Sequence, residues 1–163
     1  MTPEEEAVAA RLRALGIEFT RHEHPPVPTV AAAEAHWAAI DATHCKNLFL
    51  RNQKGTRHYL VILPASKQAD LQAVAAQLGD GKLSFASPER LRTHLGLTPG
   101  SVSPFGLIHD RDSRVLVALD RDLKAASRLS FHPNINTVTY TILNSDFQRF
   151  LASCGNVVRY VTI

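Results

Sequence analysis

A chain of 163 residues, 45% hydrophobic and 20% charged, has the composition of a soluble globular protein, and it lacks the ~20-residue apolar run that a membrane span requires. That length suffices to bury roughly two thirds of the unfolded surface in one core. Cys45 and Cys154 form no Cys-x-x-Cys pair, which argues against a disulfide framework or thiolate zinc site, and a net charge of +3 does not by itself imply nucleic acid. Three glutamates soon after Met1 argue against a secretory or transit segment, so a cytoplasmic protein is expected.

Thr2-Pro3-Glu4-Glu5 is a capping box with proline at the first helical position, and Val8, Leu12 and Leu15 continue a helix that Gly16 should stop. Ile17 and Phe19 alternate with polar neighbours as in a short strand, and His24-Pro25-Pro26-Val27-Pro28 forces an extended connection. Thr29 is then a plausible cap for an alanine-rich helix ending near Ile40, whose small side chains suit close packing. Residues 46–51 and 58–63 read as a hairpin turning at Asn52-Gln53-Lys54-Gly55. An amphipathic helix over 70–78 ends at Gly79, 82–85 is a short strand, and Ser87-Pro88 opens a further helix.

Residues 98–107 form a shaped loop, because Pro99 and Pro104 fix φ while Gly100 and Gly106 permit turns or close approach. Beyond it, 114–119 is a strand, 123–127 is ambiguous, and 137–143 alternates threonine with apolar residues as a strand does. Ser145-Asp146-Phe147-Gln148 suggests the cap of a last helix, which Gly155 ends before a strand over 157–162. Interspersed strands and helices predict an α/β or α+β domain on a mixed sheet. The absence of Gly-x-Gly-x-x-Gly and P-loop signatures argues against dinucleotides and nucleoside triphosphates.

Between Asp41 and Asp70 there is no acidic residue, whereas Lys46, Arg51, Lys54, Arg57 and Lys67 all fall there, giving a region able to attract phosphates. His22-x-His24 would place two imidazoles on one side of a strand, but no third ligand is near in sequence. His44 and Cys45, being adjacent on a strand, point to opposite faces and cannot act as base and nucleophile. Ser101 and Ser103 precede His109 and Asp110 without a Gly-x-Ser-x-Gly elbow. The polar stretch Phe131 to Thr137 just before a strand suits a site, with His132 as proton donor or polar anchor, or as a histidine that merely holds a turn.

Three stretches, in chain order, carry a family resemblance: Lys46-Asn47-Leu48-Phe49-Leu50, Gly100-Ser101-Val102-Ser103-Pro104, and Phe131-His132-Pro133-Asn134-Ile135-Asn136-Thr137. With Glu23-His24-Pro25-Pro26 and Leu83-Ser84-Phe85-Ala86-Ser87-Pro88-Glu89-Arg90-Leu91, the chain resembles freestanding prolyl-tRNA editing proteins. That group lies in the superfamily of YbaK-like proteins and the inserted editing domain of prolyl-tRNA synthetase, and the resemblance is greatest to its alanyl-tRNA(Pro) deacylases.

The resemblance implies a single editing domain over residues 1–163, with a mixed, largely antiparallel sheet flanked by helices. It implies Lys46, Gly100 and His132 as catalytic residues, Lys46 holding a terminal phosphate and Gly100 belonging to the Gly-x-x-x-Pro loop. Val30, Asn47, Ser101, Val102, Ser103, Pro104, Phe105 and Asn136 would line the substrate pocket, walled by residues 27–33. Lys46, Arg51, Lys54 and Arg57 would hold tRNA. Water would be the nucleophile, aided by loop backbone groups and the terminal ribose hydroxyl, with no cofactor or metal. The expected partner is the aminoacylated end of tRNA(Pro), with transient contact to prolyl-tRNA synthetase or an elongation factor and none to a membrane. Two other readings stay open: a non-catalytic RNA or tRNA-end binding module, and the same fold acting on cysteinyl or seryl esters.

Overall fold

The computed structural model describes residues 1–26 and 30–163, and of residues 30–33 the backbone alone. Its elements are α1 (Pro3–Ala14), β1 (Thr20–Glu23), α2 (Val30–Trp37), β2 (Thr43–Asn52), β3 (His58–Pro64), α3 (Leu71–Leu78), β4 (Leu83–Phe85), α4 (Pro88–Leu95), β5 (Leu116–Asp120), β6 (Arg128–Phe131), β7 (Val138–Leu143), α5 (Asn144–Cys154) and β8 (Val158–Val161). Two short 3₁₀ helices, Pro104–His109 and Arg121–Ala125, lie on either side of β5.

One mixed sheet runs β1-β7-β6-β2-β3-β5-β8, with β4 added to the end of β2. The pairs β1–β7, β6–β7, β2–β3 and β2–β4 are antiparallel, while β2–β6, β3–β5 and β5–β8 are parallel. β3 shows why this sheet is covered on both sides. Its residues His58 to Leu63 are all buried, the pattern of a strand with apolar matter on either face. Leu60 and Ile62 join a core with Leu12, Phe105, Phe131, Tyr140 and Phe150 beneath α1, α4 and α5, whereas Tyr59, Val61 and Leu63 join a second core under α3 with Val74 and Leu78.

Local chemistry sets the helix ends. Thr2 accepts from the Glu5 amide and Ser87 from the Arg90 amide, and Asp70 accepts from the Gln72 and Ala73 amides. Gly79, Gly96 and Gly155 close helices in the left-handed region. The hairpin turn is held by Asn52, whose Oδ1 accepts from the Thr56 and Arg57 amides.

Four expectations are corrected. The first strand begins at Thr20, not Ile17, because Gly16 turns at φ 68° and the Ile17 amide bonds back to Leu12; Ile17 and Phe19 serve the core, Phe19 stacked on Tyr140 at 4.2 Å. The alanine-rich helix ends at Trp37 rather than Ile40, where a turn follows, and its expected cap Thr29 lies outside the described residues. Ser145 does not cap α5, which starts at Asn144 without a side-chain cap bond. Arg128–Phe131 is a strand that the sequence reading passed over, and it joins β2 to the β1–β7 half of the sheet.

Candidate active site

β2 belongs to two half-sheets, and this makes an opening. On one edge, Thr43 and His44 pair with Leu129 and Ser130 of β6, while Leu50, Arg51 and Asn52 pair with β4. Between these runs, among the described residues, no strand pairs with Lys46, Asn47 or Leu48 on that edge. The parallel register carries β6 forward to Phe131, so His132 leaves the sheet beside this notch, and on its other side the Ala86 amide bonds the Phe49 carbonyl. A gap between diverging strands is where open sheets take ligands.

The loop closes over the notch through Asn47. Its Nδ2 donates to the Val102 carbonyl at 3.3 Å, while its Oδ1 is buried and has no partner. An orphaned buried acceptor is uncommon in a finished core and is a place for a ligand donor. The loop itself turns at Gly100, which has φ 87°, with the Ser101 amide bonded to the Thr98 carbonyl. A side chain with a Cβ would be strained at that φ. Ser101 to Ser103 then follow, and Ser103 Oγ accepts from the Phe105 amide to start the 3₁₀ turn.

This divides the predicted substrate-binding set. Ser103, Pro104 and Phe105 are buried, and the Phe105 ring meets Phe131, Tyr140 and Phe150 edge-on, so its side chain is core and anchors the loop instead of facing a ligand. Val102 is half-buried and Ser101 buried, next to the turn. Val30 opens α2, but its side chain and the expected wall over residues 27–33 lie outside the described residues.

His132 Nδ1 donates to the Val138 carbonyl at 2.8 Å, which fixes the proton on Nδ1 and leaves Nε2 as an acceptor. Burial, and then the neighbouring His24 ring at 5.6 Å, hold its pKa below the ordinary histidine value, so it is neutral near pH 7. Asn136 is half-buried in the turn that follows. Asn134, which the sequence reading left out of the site, is 6% exposed at φ 64°, and neither its Oδ1 nor its Nδ2 has a partner. The available signal was an asparagine between proline and a strand, a residue that tolerates left-handed backbone.

Lys46 and Asn47 obey the alternation that separates His44 from Cys45. Lys46 shares its face with Leu48 and Leu50, on the α3 side, whereas Asn47 shares its face with Cys45 and Phe49. The two meet only at the open edge. A ligand lying across that edge can touch both, and among the described residues Lys46 makes no ion pair. Arg51 is half-buried near the hairpin end, and Lys54 and Arg57 are exposed there, also without carboxylate partners among the described residues.

Cys45 is buried with its thiol pKa pushed up by desolvation, while His44 bonds Ser130 on the other face. Asp110 is engaged by Asn156 and the Arg114 and Val115 amides, away from Ser101 and Ser103. Among the described residues no three of His, Cys, Asp or Glu are grouped to hold a metal ion. No described helix is long and apolar enough to cross a membrane.

A mixed sheet split at one strand, with a proline-braced loop and a neutral histidine at the split, defines a small α/β domain with one candidate site at the open edge of β2. Residues 24–150 match the aminoacyl-tRNA editing domain model, and the chain belongs to that family, as an aminoacyl-tRNA deacylase. The chain is 38% identical to the prolyl-tRNA editing protein ProX of Acetoanaerobium sticklandii, over 97% of this chain and 96% of that one. It is 32% identical to the prolyl-tRNA synthetase associated domain-containing protein 1 of Bos taurus, over 92% and 90%. A crystal structure described as a candidate trans-editing enzyme for prolyl tRNA synthetase superposes with a TM-score of 0.75 at 22% identity, covering 100% of this chain and 99% of that one, which shows a shared fold.

Proposed function

We propose that the chain, acting as one editing domain over residues 1–163, hydrolyses the ester of alanyl-tRNA(Pro) in trans in the cytoplasm. Family membership supports the reaction class, and the names of the similar proteins support the prolyl system. The observation that carries the location is Asn47, which ties the loop carbonyl of Val102 to β2 while keeping a buried Oδ1 unpartnered at the open edge. That acceptor suits the α-ammonium group of an aminoacyl ester.

In this reading Lys46 pairs with the phosphate of the terminal adenosine, and backbone amides of the turn at Gly100 face the ester carbonyl. Water attacks that carbon, a tetrahedral oxyanion forms, and collapse breaks the bond to the ribose oxygen, which takes up a proton as free alanine leaves. The neighbouring ribose hydroxyl and His132 Nε2 orient the water, with no side chain assigned as general base. A synthetase pocket discriminates against a missing methylene by only ~1–3 kcal/mol, so a separate site that admits alanine and excludes proline is needed. Arg51, Lys54 and Arg57 add the sequence-independent attraction to tRNA phosphates, and the substrate is met as it leaves prolyl-tRNA synthetase or before an elongation factor takes it.

The test is deacylation of a panel of aminoacyl-tRNAs by the purified protein and by Lys46→Ala. Alanyl-tRNA(Pro) should be cleaved and prolyl-tRNA(Pro) spared, with Lys46→Ala losing at least a hundredfold in kcat/KM. Preferential cleavage of cysteinyl or seryl esters would reassign the substrate. Binding without cleavage of any ester would establish an RNA-end binding module in its place.

A further inference from the structure

Phe85, the last residue of β4, is 62% exposed. The fold does not call for a phenylalanine there. Leu83, on the same face two residues earlier, is buried in the second core, and Leu50, the cross-strand partner of Phe85, is fully buried. Directly opposed residues in an antiparallel pair project to one side. Phe85 therefore stands on the face of β2 that carries Leu50, Leu48 and Lys46.

The charges along that face are arranged in a row. Lys46 lies four residues before Leu50 on β2, about 13 Å at ~3.3 Å per residue. On the other side, Arg57 is two residues before Tyr59, the β3 partner of Leu50, and its guanidinium lies near the Tyr59 hydroxyl. The nearby carboxylate, Asp80, already accepts the Tyr59 hydroxyl at 2.5 Å. Lys46 and Arg57 thus stand on the same face as the Phe85 ring, one toward each end of β2, in a segment of β2 and β3 without an acidic residue.

We propose that Phe85 is a stacking platform for a base of the single-stranded tRNA end, just before the terminal adenosine whose phosphate Lys46 holds. The proposal rests on the editing reading for the position of that adenosine. Every base offers a π face, so an aromatic ring between cations takes single-stranded nucleic acid without demanding a sequence. Lys46 and Arg57, toward the two ends of β2, supply the positive charge that draws the phosphates of that strand. An exposed ring over an apolar strand could equally bury itself against a second copy of the chain, and the positive row argues against that, since two copies would set like charges face to face.

The experiment compares wild type, Phe85→Ala and Phe85→Trp on two substrates: alanyl-tRNA(Pro), and the alanyl ester of adenosine monophosphate, which has no preceding base. Phe85→Ala should lower kcat/KM on the tRNA about tenfold, mostly through KM, as loss of one base stack does. It should match wild type on the short ester, and Phe85→Trp should restore the tRNA rate. A second arm uses uncharged tRNA with 2-aminopurine before the terminal adenosine: wild type should quench it on binding, and Phe85→Ala should not. Equal losses on both substrates, no loss on either, or a dimer that Phe85→Ala dissociates would each overturn the proposal. Wild type inactive on both esters would sink the editing reading instead, and the quenching arm would still decide for or against Phe85.

Discussion

The two edges of β2 are built to opposite rules. Along β3 its register is unbroken from Cys45–Pro64 to Arg51–His58, and the side chains there go to one core or the other. Along the other edge the pairing stops and restarts, and Asn47 keeps a buried oxygen without a partner beside it. The closed edge is paired continuously with β3 over these residues. The open edge leaves a buried acceptor without a partner among the described residues, and stability elsewhere offsets its cost.

Phe105 gives the sharpest way to break this comparison, because it belongs to the loop by sequence and to the core by contact. Truncation to alanine should destabilise the protein by about 3–5 kcal/mol in urea unfolding, as large core deletions do. The fraction that remains folded should keep a near-normal KM. A stable Phe105→Ala protein with a raised KM would return this ring to the substrate pocket.

A second prediction concerns the closed edge. His58 is 7% exposed, its pKa is lowered to about 4, first by burial and then by the nearby charges of His94 and Arg90, and Arg90 donates to its Nε2 at 3.1 Å. The unfolded chain takes up this proton near pH 6.5 and the folded chain only near pH 4. Stability from the neutral ring is therefore present above pH 6.5 and is lost as pH falls toward 4, reaching about 3 kcal/mol. His58→Gln should flatten the slope of unfolding free energy against pH in that window. An unchanged slope would place the titration elsewhere.

At the open edge, Asn47→Ala removes both the donor to the Val102 carbonyl and the buried Oδ1 acceptor. Activity should fall about a hundredfold, while midpoint stability changes by about 1 kcal/mol, the scale of one hydrogen bond. A large stability loss with a proportionate activity loss would make Asn47 part of the frame.

Much of this contrast was legible in the sequence, and the parts that were not have physical reasons. Caps, the hairpin turn and the strands of the closed edge follow from local chemistry, as Asp70, Ser87, Asn52 and Gly79 illustrate. β6 was missed because Arg128 to Phe131 is only four residues long and its strand character comes from partners distant in the chain. The family motifs named Lys46, Asn47, Gly100 and His132, yet not their geometry. That Lys46 and Asn47 lie on opposite faces and meet only at an unpaired margin depends on where two other strands end. Asn134 and Phe85 carry little signal alone, since an orphaned amide and an exposed ring are properties of surroundings.

The smallest expected effect is on selectivity. Val102 is half-buried, it packs against the first core, and its carbonyl is fixed by Asn47, so its side chain holds a set position beside the turn. In the proposed reading a rigid wall rejects proline, because overpacking costs about 1–3 kcal/mol, whereas alanine leaves room to spare. Val102→Ala removes two methyl groups from that wall without changing the backbone carbonyl that Asn47 reads. Cleavage of prolyl-tRNA should rise several-fold relative to alanyl-tRNA, measured as the ratio of the two kcat/KM values. The alanine rate itself should fall only slightly, because a smaller ester gains nothing from extra space. Were both rates to fall together, Val102 would act by holding the loop in place, and the exclusion of proline would have to come from another part of the notch.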